Sequence, residues 1–394
     1  MHQSVFFHAI VIDYQIFNNY TELPNNWDAL VYHDLFLQTP YLKALEKASP
    51  ANINIYYIGF FSHSDLIGVA IVQRVQLYLN DIFRNDNDSC FKERFKSLVS
   101  KVLKGNILVI GNLTHTGQHG VYFYTEKHNY TDFLDVLFKA TTQLKRNIKN
   151  QHNKKIRAYL LKDYFTNDVF NNHTKELDAF GCHQLTVQPN MILHIKPQWK
   201  SFDDYIFDLT KKYRDRYKSA RKKAKQIEKR ELNLLEVEKE SKTLYKLYKS
   251  VSDHAKINTF ILPENHFLEY KKQLGDNFKI FGYYLENTLV GFYTLILNHN
   301  DLETYFLGYD TTHQYKHKLY LNMLFDMLEF GIENRFKNVV YARTAMAIKS
   351  SVGAKPYKMH MYLKHTNWFM NALLKNVFRL MNPKQNWEER HPFK

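Results

Sequence analysis

The sequence predicts an α+β fold built as two tandem units with mixed β-sheets. Segment 58–72 recurs without a gap at 281–295, an offset of 281 − 58 = 223 residues. Ile58-Gly59-Phe60-Phe61 stands over Phe281-Gly282-Tyr283-Tyr284, and Leu66-Ile67-Gly68 over Leu289-Val290-Gly291. Both copies read as an apolar strand, a polar turn and a second apolar strand, the pattern of a duplicated β-hairpin. A helix-like stretch precedes each copy: Tyr41-Leu42-Lys43-Ala44-Leu45 in one, Phe267-Leu268-Glu269-Tyr270 in the other. The second half then reads helix, three strands, helix, strand, loop, strand, which is an α+β order.

Element by element, strands are expected over 53–61, 66–75 and 107–111. The last runs into a loop holding three of the thirteen glycines, Gly111, Gly117 and Gly120. Such a cluster permits close backbone approach to a ligand and equally suits a plain turn. His115 and His119 fall in this loop, and without helical spacing no metal site is expected from them. An amphipathic helix follows over 131–149, with Phe133, Leu134, Val136, Leu137 and Leu144 on one side. Strands over 155–162 and 185–196 close a first domain, 1–197. In the second domain, 198–365, Ser201 is a credible N-cap for a helix over 202–209. A basic helix spans 212–229, then come a short strand over 233–237 and helices over 241–252 and 264–274. Strands over 279–285, 288–297 and 302–309 precede a long helix, 315–335, and final strands at 338–342 and 358–364. Residues 366–394 form a tail whose segment 367–382 is amphipathic. Asn371, Lys375, Asn376, Arg379 and Asn382 lie on its polar side and Trp368, Phe369 and Met370 among its apolar residues. That pattern suits a helix lying in a membrane interface or one docked on the protein.

Composition narrows the function classes. The 394 residues suffice for two domains, and 29 Phe with 28 Tyr supply large cores. The only cysteines, Cys90 and Cys182, lack CxxC spacing, and His183 beside Cys182 does not complete a four-ligand set. A disulfide frame and a structural zinc are therefore not expected, and a reducing compartment is. No basic residue precedes the apolar residues of 1–14, and no run is long enough to cross a bilayer, so a cytoplasmic chain is expected. The formal charge of +15 implies an anionic partner: nucleic acid, anionic lipid or a phosphorylated substrate. It is concentrated in 211–230, where eleven Lys or Arg face two acids, 11 − 2 = +9. Arg214, Arg216, Arg221 and Lys222 there make a solvated face or a cradle for phosphate, which guanidinium forks fit well.

The hairpin Gly282…Gly291, the strand end Phe306-Leu307-Gly308-Tyr309-Asp310, the helix Leu319-Tyr320-Leu321-Asn322-Met323-Leu324 and the basic helix together resemble the GNAT acyltransferases, and the doubling resembles the Fem-type peptidyltransferases. The loop 343–354 is similar to the stretch before the last strands in a GNAT-like branch. The resemblance implies an N-acyltransferase with acyl-CoA, an acyl carrier protein or an aminoacyl-tRNA as donor; no metal or flavin site is visible in the sequence, so no bound cofactor or metal is expected. It departs at one place. GNAT members hold a pyrophosphate in a glycine-rich turn that opens the helix after the fourth strand. The corresponding residues here, Asp310-Thr311-Thr312-His313-Gln314-Tyr315-Lys316-His317-Lys318, contain no glycine.

Acyl transfer to an amine needs a proton acceptor, donors for the developing oxyanion and alignment of both substrates. Candidate bases are Asp253, His254 and Glu303, with Tyr309 as proton donor. Lys316, Arg343, Lys349 and Ser350 are candidates for binding a phosphate or carboxylate. The expected activity is transfer of an acyl group to an amine of a lipid or cell-envelope precursor at the inner face of the membrane. The alternatives are aminoacyl-tRNA-dependent extension of a peptidoglycan peptide, and a binder of anionic lipid or RNA without chemistry.

Overall fold

The computed structural model describes residues 12–77, 105–126, 128–254, 258–381 and 387–394, with backbone alone for 375–381. Cys90, residues 255–257 of the loop after Asp253-His254, and the side chains of Lys375, Asn376, Arg379 and Asn382 lie outside that set.

The hairpin repeat holds in detail. Strands β2 (Ile53–Ser62) and β3 (Asp65–Leu77) pair Gly59 with Val69 and Phe60 with Gly68. Strands β10 (Phe278–Leu285) and β11 (Thr288–Asn298) pair Gly282 with Phe292 and Tyr283 with Gly291. Each partner is displaced by the same 223 positions, and each hairpin slips register at the next residue, after Phe60 and after Tyr283.

The repeat extends to whole sheets. The first runs β1 (Ile12–Phe17), β2, β3, β4 (Gly105–Ile110), β6 (Ile156–Phe165), β15 (Met359–His365) and β7 (His183–Thr186), with β5 (Val121–Phe123) beside β3. The second runs β9 (Glu228–Glu231), β10, β11, β12 (Asp301–Tyr309), β13 (Asn338–Val340), β8 (Asn190–His194) and β14 (Lys355–Tyr357). In both, one parallel pair, β4 with β6 and β12 with β13, interrupts antiparallel neighbours. In both, the penultimate strand comes from the other half: β15 enters the first sheet and β8 the second. The boundary expected at 197/198 is thus not a boundary between sheets.

Three layers of side chains hold the sheets. Helix α3 (Tyr130–His152) buries Phe133, Leu134, Leu137 and Leu144 on the outer face of the first sheet. Between the sheets, α2 (Thr39–Lys47) packs on α8 (His266–Leu274), the two helices that precede the hairpins, with α7 (Leu234–Ser252) beside them. The outer face of the second sheet carries α5 (Phe202–Asp208), the basic α6 (Lys211–Lys223) and α10 (Leu319–Glu333).

Four expectations change. Residues 233–237 open α7 instead of forming a strand, because Asn233 and Glu236 make a reciprocal capping box. The basic helix stops at Lys223, and Glu228–Glu231 becomes an edge strand. The helix expected over 315–335 breaks into α9 (Thr311–His317) and α10 at Lys318, whose φ of 52° is left-handed. Residues 185–196 divide into β7 and β8, which join different sheets on either side of Pro189. In the tail, α12 (Trp368–Met381) docks on the first sheet. Asn371 of the supposed polar stripe faces inward, donating to Gly181 O at 2.9 Å and accepting from His365 N at 2.7 Å. Trp368 (81% exposed) and Phe369 (55%) point outward.

Candidate functional site

Strand β12 divides two polar regions. Leu302, Leu307 and Tyr309 belong to the outer core under α10, whereas Tyr305 and Phe306 join the core between the sheets. Strands β12 and β13 pair only through Asp301–Asn338, Leu302–Val339 and Glu303–Val340. Beyond Glu303 they part. The equivalent pair in the first sheet is longer, from Asn106–Ile156 to Ile110–Leu161.

On the outer face lies a cavity of about 350 Å³, lined by Arg216, Ser219, Ala220, Gln314, Tyr315, Lys318, Leu321 and Ile348. It sits at the start of the fifteen-residue α10, where the helix dipole favours an anion, although Gln314 Oε1 already accepts from Tyr320 N at 2.9 Å. The preceding helix start is different. The Asp310 carboxylate caps α9, accepting from Thr312 N at 2.8 Å and Thr312 Oγ1 at 2.7 Å, and these bonds hold its pKa below the ordinary carboxylate value. A phosphate in that turn would meet this negative charge.

On the inner face, the glycine loop folds against Glu303. Its ends are pinned to one strand residue: Gly111 N donates to Ile71 O at 2.8 Å, and Ile71 N to Gly120 O at 2.7 Å. A Cβ on Gly120 would lie 2.2 Å from Gly111 Cα, so only glycine permits the closure. Asn112 braces the interior, accepting from Gln73 Nε2 at 3.0 Å and donating to Tyr41 Oη at 2.7 Å. The loop thereby delivers His115 and His119 to Glu303. His115 Nε2 lies 3.3 Å from Glu303 Oε2, and His119 Nε2 lies 3.5 Å from Oε1. His119 Nδ1 donates to Asp34 Oδ2 at 2.8 Å, and Phe36 stacks on the His115 ring at 4.0 Å. Asp34 is itself fixed, accepting from Phe36 N and from Asn298 Nδ2, both at 3.1 Å.

Charge in this cluster follows from its neighbours. Burial opposes protonation of His119, but the carboxylates of Asp34 and Glu303 outweigh it and push the pKa up to about 10. Burial would raise Glu303, yet the two histidines bring it below its ordinary value. His115 is lowered by burial despite Glu303.

The candidates named from sequence do not converge. Asp253 and His254 are exposed at the end of α7, where Asp253 pairs with Lys249 at 2.8 Å and His254 Nδ1 donates to Ser250 O at 2.6 Å. Glu303 faces inward and Tyr309 outward, on one strand. Among the basic residues, Arg216 lines the cavity, and Lys222 and Lys316 are exposed. Arg214 is spent on the carbonyls of Phe207 and Leu209. Arg221 pairs with Asp326 at 2.7 Å and lies 3.7 Å from Glu329. Arg343 is half-buried against Asp163, and desolvation lowers its pKa to about 10. Lys349 is not a ligand group: its Nζ donates to the carbonyls of Tyr341, Ala342 and Arg343, tying down the end of β13. Ser350 is buried, donating to Ala347 O and accepting from Arg390 N, both at 3.1 Å. Sequence reasoning missed Asp34 and Gln314 as site residues, whereas Lys318 lay in the turn that it read as either a phosphate contact or a solvated helix start. His115 and His119 were visible, but nothing in the sequence showed that Glu303 would meet them.

No protein-family model matches the chain, and no curated protein matches it in sequence. Solved structures do. FemX superposes with a TM-score of 0.53 at 12% identity, over 92% of this chain and 100% of that one. A tandem GNAT protein from the clavulanic acid biosynthesis pathway gives 0.50 at 8%, over 90% and 99%. The C-terminal domain of a putative lysylphosphatidylglycerol synthetase from Agrobacterium fabrum gives 0.51 at 7%, over 92% and 96%. At these identities the fold is what is shared: two GNAT-like units in tandem, as in the structures it superposes on.

Proposed function

We propose that the protein is an acyltransferase that takes an acyl or aminoacyl group from an anionic, carrier-borne donor and passes it to an amine of a lipid or cell-envelope precursor. One observation carries this reading: a cavity bearing Arg216 and Lys318 opens at the start of α10, in the outer layer of the second sheet, the sheet whose parallel pair β12/β13 is the shorter of the two. The cations and the helix start favour the donor's phosphates. The corresponding strands of the first sheet stay paired, so the donor is assigned to the second unit. The likeness to FemX and to a tandem GNAT protein supports the same chemistry.

Asp310 argues against a pyrophosphate held in the turn after β12, and so against acyl-CoA in the usual pose. An acyl carrier protein or an aminoacyl-tRNA presents its phosphates over a wider surface. Lys211, Lys212, Lys218, Lys222 and Lys223 of α6 are all exposed beside the cavity and favour such a carrier. Tyr309, on the outer side of β12, is kept protonated by burial and is a candidate donor of a proton to the leaving group. The exposed Trp368 and Phe369 support contact with a membrane surface. Among the described residues no helix is long and apolar enough to cross a membrane.

A second reading, transfer from aminoacyl-tRNA to a peptidoglycan peptide, is favoured by the exposed lysine row. The test is a transfer assay in which the full chain meets labelled acyl-CoA, acyl carrier protein and aminoacyl-tRNA with amine acceptors extracted from the host envelope. Transfer from a carrier-borne donor, with steep salt dependence for tRNA, supports the proposal. Absence of transfer from every donor class overturns it.

A further inference from the structure

The geometry points to a divalent transition-metal site at His115, His119 and Glu303, joining the two halves of the chain. The nitrogen and oxygen atoms these residues offer all lie within 4.8 Å of one another. The spacings of 3.3 and 3.5 Å to Glu303 are long for a charge-assisted hydrogen bond. The two imidazoles meet different oxygens of the one carboxylate, each at about the 3.3 Å that separates two ligands held about 2.0–2.1 Å from a zinc ion.

Hydrogen-bonding capacity points the same way. Asp34 takes the Nδ1 proton of His119, which aims Nε2 at Glu303. A second proton on His119 would bridge it to one carboxylate oxygen. It would leave His115 Nε2 and Glu303 Oε2, both buried and 3.3 Å apart, in a contact that does not meet hydrogen-bond geometry. One metal ion engages all three groups at once. Two imidazoles and a carboxylate are the donor set of a borderline ion such as Zn²⁺, and an outer carboxylate on one imidazole is the usual support for such a ligand. Phe36 against both rings limits their rotation. His115 and His119 come from the loop after β4 and Glu303 from β12, so the ion would clasp the first sheet to the second.

This inference does not rest on the transferase reading, and its test needs no substrate. The chelator-stripped full chain is titrated with Co²⁺, followed by visible absorption, and then with Zn²⁺ in competition. The expected result is about one equivalent of Co²⁺ with tetrahedral absorption, displaced by Zn²⁺, and a thermal midpoint raised by Zn²⁺. His119→Ala and Glu303→Gln should each weaken binding by at least about tenfold, and Asp34→Asn by about 10–100-fold. Wild-type protein that takes up no stoichiometric metal overturns the inference, whether or not the variants fold. So does undiminished binding by Asp34→Asn and Glu303→Gln variants that keep native circular dichroism.

Discussion

Buried cations and imidazoles in this protein do structural work, and the role of each depends on what its polar atoms meet. Lys349 is 5% exposed and gives its protons to three successive carbonyls at the end of β13. Replacing it with methionine keeps most of the volume but strands those acceptors. Lys349→Met is expected to cost about 2–4 kcal/mol in urea unfolding, a loss that a substrate-binding lysine on the surface would not show. His266 is buried as the neutral ring: Nδ1 donates to Ala48 O at 3.1 Å, and Nε2 accepts from Tyr305 Oη at 3.2 Å. Burial lowers its pKa to about 3. The folded value lies below the unfolded one, so between about pH 6.5 and 3 the unfolded chain binds the extra proton. Stability is therefore full above 6.5 and falls as pH drops, by about 1.4 kcal/mol per unit from this residue. Unfolding free energies at pH 7 and 5.5 should show a smaller acid loss for His266→Asn than for the wild type. None of this is readable from residue type. Lys349 and His266 look in sequence like any other lysine and histidine, and only the carbonyls that converge on them assign their roles.

The elements show which sequence signals survive folding. Period-two runs and paired glycines located both hairpins, because register is set locally by the turn and by the buried face. The signals that failed depended on competition. Asn233 and Glu236 read as part of an extended stretch until their capping box is seen, and Lys318 read as helix interior although the chain takes a left-handed residue there. The glycine loop is the element on which the inner cluster depends. Gly120→Ala would place its Cβ 2.2 Å from Gly111 Cα, a backbone contact that no side-chain rotation relieves. The loop must then shift, withdrawing His115 and His119 from Glu303. Gly120→Ala is expected to destabilise the protein by more than about 2 kcal/mol and to weaken metal uptake, read by thermal unfolding and Co²⁺ titration. Gly275→Ala meets nothing within 4 Å, but φ of 55° with ψ of −119° strains any side chain, so it should also destabilise the protein while leaving metal uptake intact.

At the scale of the molecule, reciprocal strand exchange is the organising fact. The sheet orders correspond strand for strand, and each includes one strand from the other half. The duplicated hairpin announced the two units, but the exchange was not legible. An inserted strand carries the same apolar pattern whichever sheet receives it. Residues 1–197 expressed alone would lack β15, and 198–394 would lack β8, each an inner strand with two partners. Neither piece is expected to unfold cooperatively by itself, whereas the full chain should show one transition in calorimetry. The central claim is that the donor binds in the cavity at the start of α10, against Arg216 and Lys318. The most direct measurement is the steady-state KM for the donor with Arg216→Glu and Lys318→Glu, beside Lys316→Glu, an exposed lysine of α9 that does not line the cavity. The account predicts that each cavity variant raises the donor KM at least about tenfold with kcat little changed, and that Lys316→Glu has a smaller effect. An unchanged donor KM in both cavity variants would contradict it.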